Sequence, residues 1–129
     1  MVGEEVALAL NWHIDSQARL VTVIAAGDVT AAEFAELVKA VVGANAIGYT
    51  KLFDGSAEDL EITPEDLLTI GAHLRSLHTH PHVGALAVVL SPRKHEAAAR
   101  LLGILATAQR PLRLFTSRAP AEKWIAGAG

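Results

Sequence analysis

The longest stretch without a polar side chain runs from Val83 to Leu90, and it is eight residues long. A membrane-spanning helix needs about 20 such residues, so this stretch is too short to cross a bilayer. A strand with one face in water alternates apolar and polar residues, whereas this stretch does not alternate. The sequence therefore predicts a strand covered on both faces, as in a parallel sheet with helices packed against it.

Composition limits what such a sheet can belong to. The chain has 129 residues, of which 51% are hydrophobic, and this suits one domain spanning 1–129. Cysteine is absent, so disulfides, thiol nucleophiles and cysteine-ligated metals are excluded. Glu4 and Glu5 lie where a secretory signal carries positive charge, so we expect a cytoplasmic protein. A net charge of −3 and a pI near 6.0 argue against general nucleic-acid binding.

Local patterns divide the rest of the chain into strands and helices. Alternation over Leu8–Ile14 and the β-branched run Arg19–Ala26 predict an antiparallel hairpin. Later strands are predicted at Tyr49–Asp54, Val83–Leu90 and Leu112–Phe115.

Start signals for helices lie between these strands. Thr30 and Glu33 form a capping box, in which the hydroxyl accepts from the Glu33 amide and the carboxylate reaches back to the Thr30 amide. Gly43 is the expected stop of this helix. Thr63-Pro64 and Ser91-Pro92 pair a cap with a proline at the first helical position, and predict two more helices. Apolar spacing predicts that the first two helices bury Phe34, Leu37, Val38, Val41, Val42, Leu67, Ile70, Leu74 and Leu77.

A last helical segment is predicted over Ala121–Ile125, which completes the order β-β-α-β-α-β-α-β-α. Strands joined through helices run parallel and cross over with a right hand. The predicted fold class is therefore α/β: a mixed five-stranded sheet with an N-terminal antiparallel hairpin and four helices.

Five segments are informative together, namely Gly27-Asp28-Val29-Thr30, Leu52-Phe53-Asp54, Gly84–Leu90, Arg113-Leu114-Phe115 and Trp124-Ile125. They resemble the SpoIIAA-like branch of the STAS superfamily, which is related to the CRAL-TRIO fold. The resemblance covers nearly the whole chain and implies a non-enzymatic module. STAS domains act as anti-sigma-factor antagonists, as regulatory domains of anion transporters, or as binders of nucleotides and lipids.

The resemblance also implies a possible phosphorylation switch. In anti-sigma-factor antagonists the modified serine or threonine lies at the helix N-terminus after the third strand. This chain has Asp54-Gly55-Ser56 and then Thr63-Pro64 there, without the compact Asp-Ser-Ser-Gly motif. Thr63 and Ser56 are the candidate phosphorylation sites, and Thr63 is also explained as a helix cap.

A binding site is predicted where parallel strands end, because ligands of such sheets bind beyond the carboxyl ends of the strands. The predicted edge collects Asp28, Asp54, Ser56, Ser91 and Thr116. Arg93 and Lys94 follow Ser91 at the start of a helix, where free amides and cations together suit a phosphate, a carboxylate or an acidic protein side chain.

Histidines suggest a metal hypothesis. His78, His80 and His82 alternate in a segment that follows His73, and imidazole suits zinc, copper or nickel. No HExxH motif, cysteine or neighbouring carboxylate completes a ligand set, so no metal site is predicted. Without GxGxxG or P-loop motifs, no cofactor is predicted either.

The sequence as a whole predicts a non-enzymatic binding or regulatory module that is a homodimer. Its expected partner is a protein or a small amphipathic ligand of the acyl or lipid type. Two alternatives stay open: a phospho-switch resembling an anti-sigma-factor antagonist, and a metal-dependent hydrolase built on the histidine cluster.

Overall fold

The computed structural model describes residues 9–76, 83–94 and 112–128, and they form a sheet with helices on both faces. The N-terminal part of the first predicted strand and the greater part of the third predicted helix lie outside these residues. The strands are β1 (Leu10–Asp15), β2 (Leu20–Ala25), β3 (Thr50–Gly55), β4 (Leu86–Leu90) and β5 (Leu112–Phe115). The helices are α1 (Ala31–Gly43), α2 (Pro64–Ser76), α3 (beginning at Pro92 and described as far as Lys94) and α4 (Arg118–Ala128).

The strands lie side by side in chain order, β1-β2-β3-β4-β5. β1 pairs with β2 antiparallel, with Trp12 opposite Val23, and the other neighbours pair in parallel. The predicted mixed sheet with an N-terminal hairpin is confirmed. α4 begins at Arg118, three residues before the predicted Ala121.

Alternate residues of the central strands enter two separate cores. On one face, Val23 and Val88 pack with Phe34 and Leu37 of α1 and with Ile70 of α2. On the other face, strand residues pack with α4 in a cluster of Leu52, Ala87, Val89, Ala121 and Ile125. The last four residues of β4 are all buried, so the prediction of a strand covered on both faces is confirmed, although the strand begins at Leu86, three residues after the predicted Val83.

α1 begins with the predicted cap. The hydroxyl of Thr30 accepts from the amide of Glu33 at 3.2 Å. Oε2 of Glu33, expected to reach back to the Thr30 amide, accepts from the amide of Leu10 at 2.8 Å. The carboxylate therefore connects the start of α1 to the start of β1.

The end of α1 differs from the prediction based on Gly43. Gly43 is the last helical residue, and the left-handed position is Asn45, with φ 57°. The amide of Asn45 bonds to Val42 O and that of Ala46 bonds to Val41 O, the pattern of a Schellman motif. Asparagine tolerates this conformation because its short polar side chain bonds locally.

Burial along the helices follows the prediction in part. Phe34, Leu37, Val41 and Ile70 are buried, and Val38 packs at the margin of the core. Val42 was predicted to be buried and is 46% exposed, because it lies on the margin of the stripe one position beyond Val41. Three further side chains that the second helix was predicted to bury lie outside the described part of the structure, namely Leu67, Leu74 and Leu77.

The amino-terminal end of the parallel strands is closed by tight backbone contacts. The ammonium group of Lys51 donates to the carbonyls of Ile47 and Tyr49. Gly84 approaches so closely that a Cβ there would lie 2.0 Å from Tyr49 O. The guanidinium carbon of Arg19 stands 4.9 Å from the centroid of the Tyr49 ring, a cation–π contact.

Candidate functional site

The carboxyl ends of β2 to β5 share one edge of the sheet, because these strands are parallel. The predicted site residues Asp28, Asp54, Ser56, Ser91 and Thr116 lie at or just beyond those ends. The segment Ser56–Thr63, which joins β3 to α2, runs along the same edge, and we call it the edge loop. The structure thus brings the predicted residues to one edge and adds a loop that includes Ser56 and contacts Asp28 and Asp54.

The edge loop continues the sheet beyond β2. Asp28 and Glu61 form an isolated parallel bridge. The amide of Val29 bonds to Glu61 O at 2.9 Å, and the Glu61 amide bonds to Gly27 O at 2.8 Å. Gly27 has φ 73°, a conformation that glycine adopts without strain. These backbone bonds fix the loop beside the end of β2.

Asp54 is the most connected of the predicted residues. Its Oδ1 accepts from the Ser56 amide at 3.1 Å and from the Ser56 hydroxyl at 2.7 Å. Its Oδ2 lies 3.5 Å from a guanidinium nitrogen of Arg118, which also pairs with Glu122 at 3.1 Å. Because the Asp54 side chain is only 13% exposed, this carboxylate joins the start of the edge loop to α4.

The two predicted cations hold the other part of the edge loop. Arg93 pairs with Glu58 at 3.1 Å, and both side chains are about three-quarters exposed. The ammonium group of Lys94 donates to the carbonyl of Leu60 and lies 3.8 Å from a carboxylate oxygen of Glu61. The structure therefore brings Arg93 and Lys94 to the predicted edge and gives each an acidic neighbour from the loop.

Ser91 follows the last residue of β4 and is 4% exposed. Its carbonyl accepts from the amide of Lys94 at 3.0 Å as α3 begins. Its hydroxyl is predicted to cap the helix, but it has no hydrogen-bond partner. Among the described residues, it is the one buried side-chain polar atom that lacks such a partner. A buried hydroxyl without a partner costs free energy, so this atom is available to a group that brings an acceptor.

Apolar packing fills the space between the end of β3 and the edge loop. Leu60 of the edge loop is 2% exposed, and Gly55 lies beneath it. A Cβ on Gly55 would lie 2.9 Å from both Leu60 and Leu90. The strand order also never reverses, so this sheet has no topological switch point to open a crevice. Access to the edge therefore depends on the edge loop.

The two candidate phosphorylation sites have different surroundings. Thr63 Oγ1 accepts from the amide of Asp66 at 3.0 Å, so the predicted helix cap is confirmed. Ser56 is exposed, and its hydroxyl contacts a carboxylate that Arg118 also contacts.

Other chemistry finds no support in the part of the chain that the structure describes. Within residues 9–76, 83–94 and 112–128, no three histidine or acidic side chains are grouped as a metal site. His78, His80 and His82 lie outside these residues, so the hydrolase alternative stays a hypothesis. No helix among the described residues has the length and apolarity needed to cross a membrane.

Three residues of this edge were not predicted as site residues, namely Glu58, Glu61 and Arg118. The acidic run from Glu58 to Glu61 reads in sequence as a solvated face or a contact for basic groups, and the basic groups belong to this chain. The sequence offers one local indication for Arg118, because Glu122 follows four residues later and opposite charges at this spacing on a helix commonly pair.

Comparison with known proteins supports the fold. The sequence matches no protein-family model and no curated protein. A solved structure that it resembles is that of an uncharacterised protein from Shewanella loihica PV-4, which belongs to the DUF3478 family and has a SpoIIAA-like fold. The two superpose with a TM-score of 0.63 over 97% of this chain and 98% of that one, at 15% sequence identity. The fold is therefore SpoIIAA-like, as the sequence resemblance implied.

Proposed function

We propose that this protein is a non-enzymatic binding module of a regulatory kind, which docks an acidic group of a partner at the carboxyl edge of its sheet. The partner is a protein or an amphipathic acyl-type ligand, and the module acts as a homodimer. The observation that carries the proposal is the buried Ser91 hydroxyl, which has no hydrogen-bond partner and lies two residues before Arg93, whose ion pair with Glu58 is exposed.

The exposed ion pair between Arg93 and Glu58 supports this choice of partner chemistry. Arg93 and Glu58 are both largely exposed, and exposed pairs of this kind contribute about 1 kcal/mol or less. A carboxylate or phosphate from a partner can replace Glu58 at Arg93 at little cost. Release of the loop would also expose Leu60, which supplies an apolar contact for an acyl chain or a partner side chain.

Decanoate, an acyl chain with one carboxylate, tests the ligand form of this proposal. Protein purified without a histidine tag is titrated with decanoate and examined by native mass spectrometry. We expect a one-to-one adduct that Arg93→Glu abolishes and that Ser91→Ala weakens. Lys39→Glu is the matched control, because Lys39 also forms an exposed ion pair, with Glu36, but on α1.

Failure of this titration has a definite meaning. If the wild type binds no decanoate and carries no copurified anionic ligand, the ligand form of the proposal is wrong. If Lys39→Glu removes the adduct as completely as Arg93→Glu, binding reflects net charge and the assignment to the carboxyl edge is wrong.

A second candidate function, the phospho-switch, is favoured at Ser56 by one observation. The Ser56 hydroxyl is exposed and contacts Asp54, which is paired with Arg118, so a phosphate there would meet both a repelling carboxylate and an attracting guanidinium. Modification of Thr63 would instead remove the cap of α2. Peptide mass spectrometry of protein from its native cells tests this, since a phosphate on Ser56 supports the switch and an unmodified peptide opposes it.

A further inference from the structure

β1 is an outer strand of the sheet, and one side of its backbone faces away from β2. The amide of Ala26 donates to Ala9 O, so these two opposite residues form a hydrogen-bonded pair. The pair Asn11 and Ile24 lies two positions further along the same ladder. In an antiparallel ladder, bonded and non-bonded pairs alternate. The odd-numbered residues of β1 therefore bond to β2, and the groups of Leu10, Trp12 and Ile14 point outward.

One of these outward groups is already used. The Leu10 amide donates to Glu33 Oε2 at 2.8 Å, which agrees with its outward direction. Within the ranges that the structure describes, no further bond uses this side of the strand, which leaves the backbone groups of Trp12 and Ile14 as a short pairing edge. The six residues of β1 contain no lysine and no proline, the residues that commonly protect outer strands from pairing.

The geometry points to a second copy of this chain as the occupant: we propose that β1 pairs antiparallel with β1 of the partner subunit, with His13 opposite the partner's His13. In this register Trp12 lies opposite the partner's Ile14, and each pair exchanges two backbone hydrogen bonds, four in total. The Leu10 amide keeps its bond to Glu33. A register centred on Trp12 would need that amide for pairing and would have to displace Glu33.

Side chains also match in this register. Trp12 and Ile14 are half-buried and pack at the margin of the core beneath α1. In the dimer these side chains would contact the same two side chains of the second copy, which extends the core across the interface. On the other face, Asn11 lies opposite the partner's Asp15, which places an amide beside a carboxylate rather than two like charges. Strand β1 thus matches itself on both faces.

The inference rests on the homodimer named in the proposed function and not on docking at the carboxyl edge. Arg93→Glu can therefore lose decanoate and keep the dimer, so failure of one proposal is distinguished from failure of the other.

Sedimentation velocity over a concentration series is the first test. We expect a monomer–dimer equilibrium in the wild type. Ile14→Pro removes an outward amide from each copy without touching the ladder to β2, and should raise the dissociation constant about tenfold or more. The control is Ile24→Lys, at an exposed position of β2, which should leave the dissociation constant of the dimer unchanged. Proline is not used at this position because it would break the hydrogen bonds between β1 and β2. Circular dichroism establishes that each variant is folded.

Cross-linking then tests the register, and the chain contains no cysteine of its own to interfere. Cα atoms of a non-bonded antiparallel pair lie about 4.5 Å apart, within disulfide range. His13→Cys should therefore form a disulfide-linked dimer under mild oxidation. Asn11→Cys, on the same exposed face, should not, because the two copies of that position lie about 13 Å apart.

Three results would overturn the proposal. The first is a wild type that sediments as a monomer at every concentration. The second is a dimer that folded Ile14→Pro leaves unchanged. The third is Asn11→Cys linking as fast as His13→Cys, which would show a different register or random contact.

Discussion

The two ends of the parallel sheet hold their charged side chains in different ways. At the amino-terminal end, Lys51 donates to two backbone carbonyls, and Gly84 lies against one of the same two residues, Tyr49. At the carboxyl end, Arg93 pairs with a carboxylate at the surface, where water and solutes can compete. The amino-terminal end uses its charge to fix backbone, whereas the carboxyl end combines one such contact, from Lys94 to a backbone carbonyl of the edge loop, with a surface ion pair that can be exchanged.

This difference shows where a binding function can be placed in a small fold without loss of stability. Hydrogen bonds to buried backbone groups are costly to break, since each leaves a desolvated acceptor unpaired. Exposed ion pairs cost little to break. The following three changes test the contrast, in order of expected effect.

Gly84→Ala should be the most damaging change. Its Cβ would lie 2.0 Å from Tyr49 O and 2.8 Å from Gly48 O, so the backbone must move apart. We expect a loss of about 3 kcal/mol or more in the free energy of unfolding, measured by urea denaturation. Gly43→Ala, with nothing within 4 Å, should be neutral or slightly stabilising. Equal effects of the two changes would show that the amino-terminal end is not tightly packed.

Lys51→Met should have an intermediate effect. The apolar stem is kept, but the carbonyls of Ile47 and Tyr49 lose a charged donor. We expect a loss of about 2 kcal/mol by the same denaturation assay. Lys39→Met removes an ion pair on the surface of α1 and should cost about 0.5 kcal/mol or less. A loss at Lys51 as small as that at Lys39 would remove the distinction between the two ends.

Arg93→Ala should have the smallest effect on stability. The pair with Glu58 is about three-quarters exposed, so we expect a loss of about 0.5 kcal/mol or less, and one that disappears at high salt. Urea denaturation at low and high salt measures both. A loss above about 2 kcal/mol that salt does not reduce would mean that the contact of Arg93 with Glu58 cannot be exchanged at little cost.

Patterns within a few residues of sequence predicted the local structure well. Thr30 and Thr63 accept from the amides three residues later, as their sequence contexts indicated. Parallel pairing of the strands β2 to β5 was predicted from the helical segments between them, and it is confirmed. Asn45 was missed because glycine is the usual left-handed stop, and nothing local distinguishes the two choices.

The site was predicted in position but not in its contacts. Because β3 and β4 are parallel, Asp54 and Ser91 lie at the same edge of the sheet whatever path the loops take. The partner of Arg93 is Glu58, 35 positions away, and that of Asp54 is Arg118 on the last helix. Such pairs depend on how the edge loop lies across the sheet, which no single stretch of sequence specifies.

The strand order has a consequence for how the chain acquires its structure. Each strand is a neighbour of the one made before it, so every addition to the sheet uses the segment most recently synthesised. Contacts between segments close in sequence lower the entropy lost in closing loops and favour rapid folding. The sheet can therefore grow in one direction from the N-terminal hairpin as the chain leaves the ribosome, with α4 the last helix to cover it.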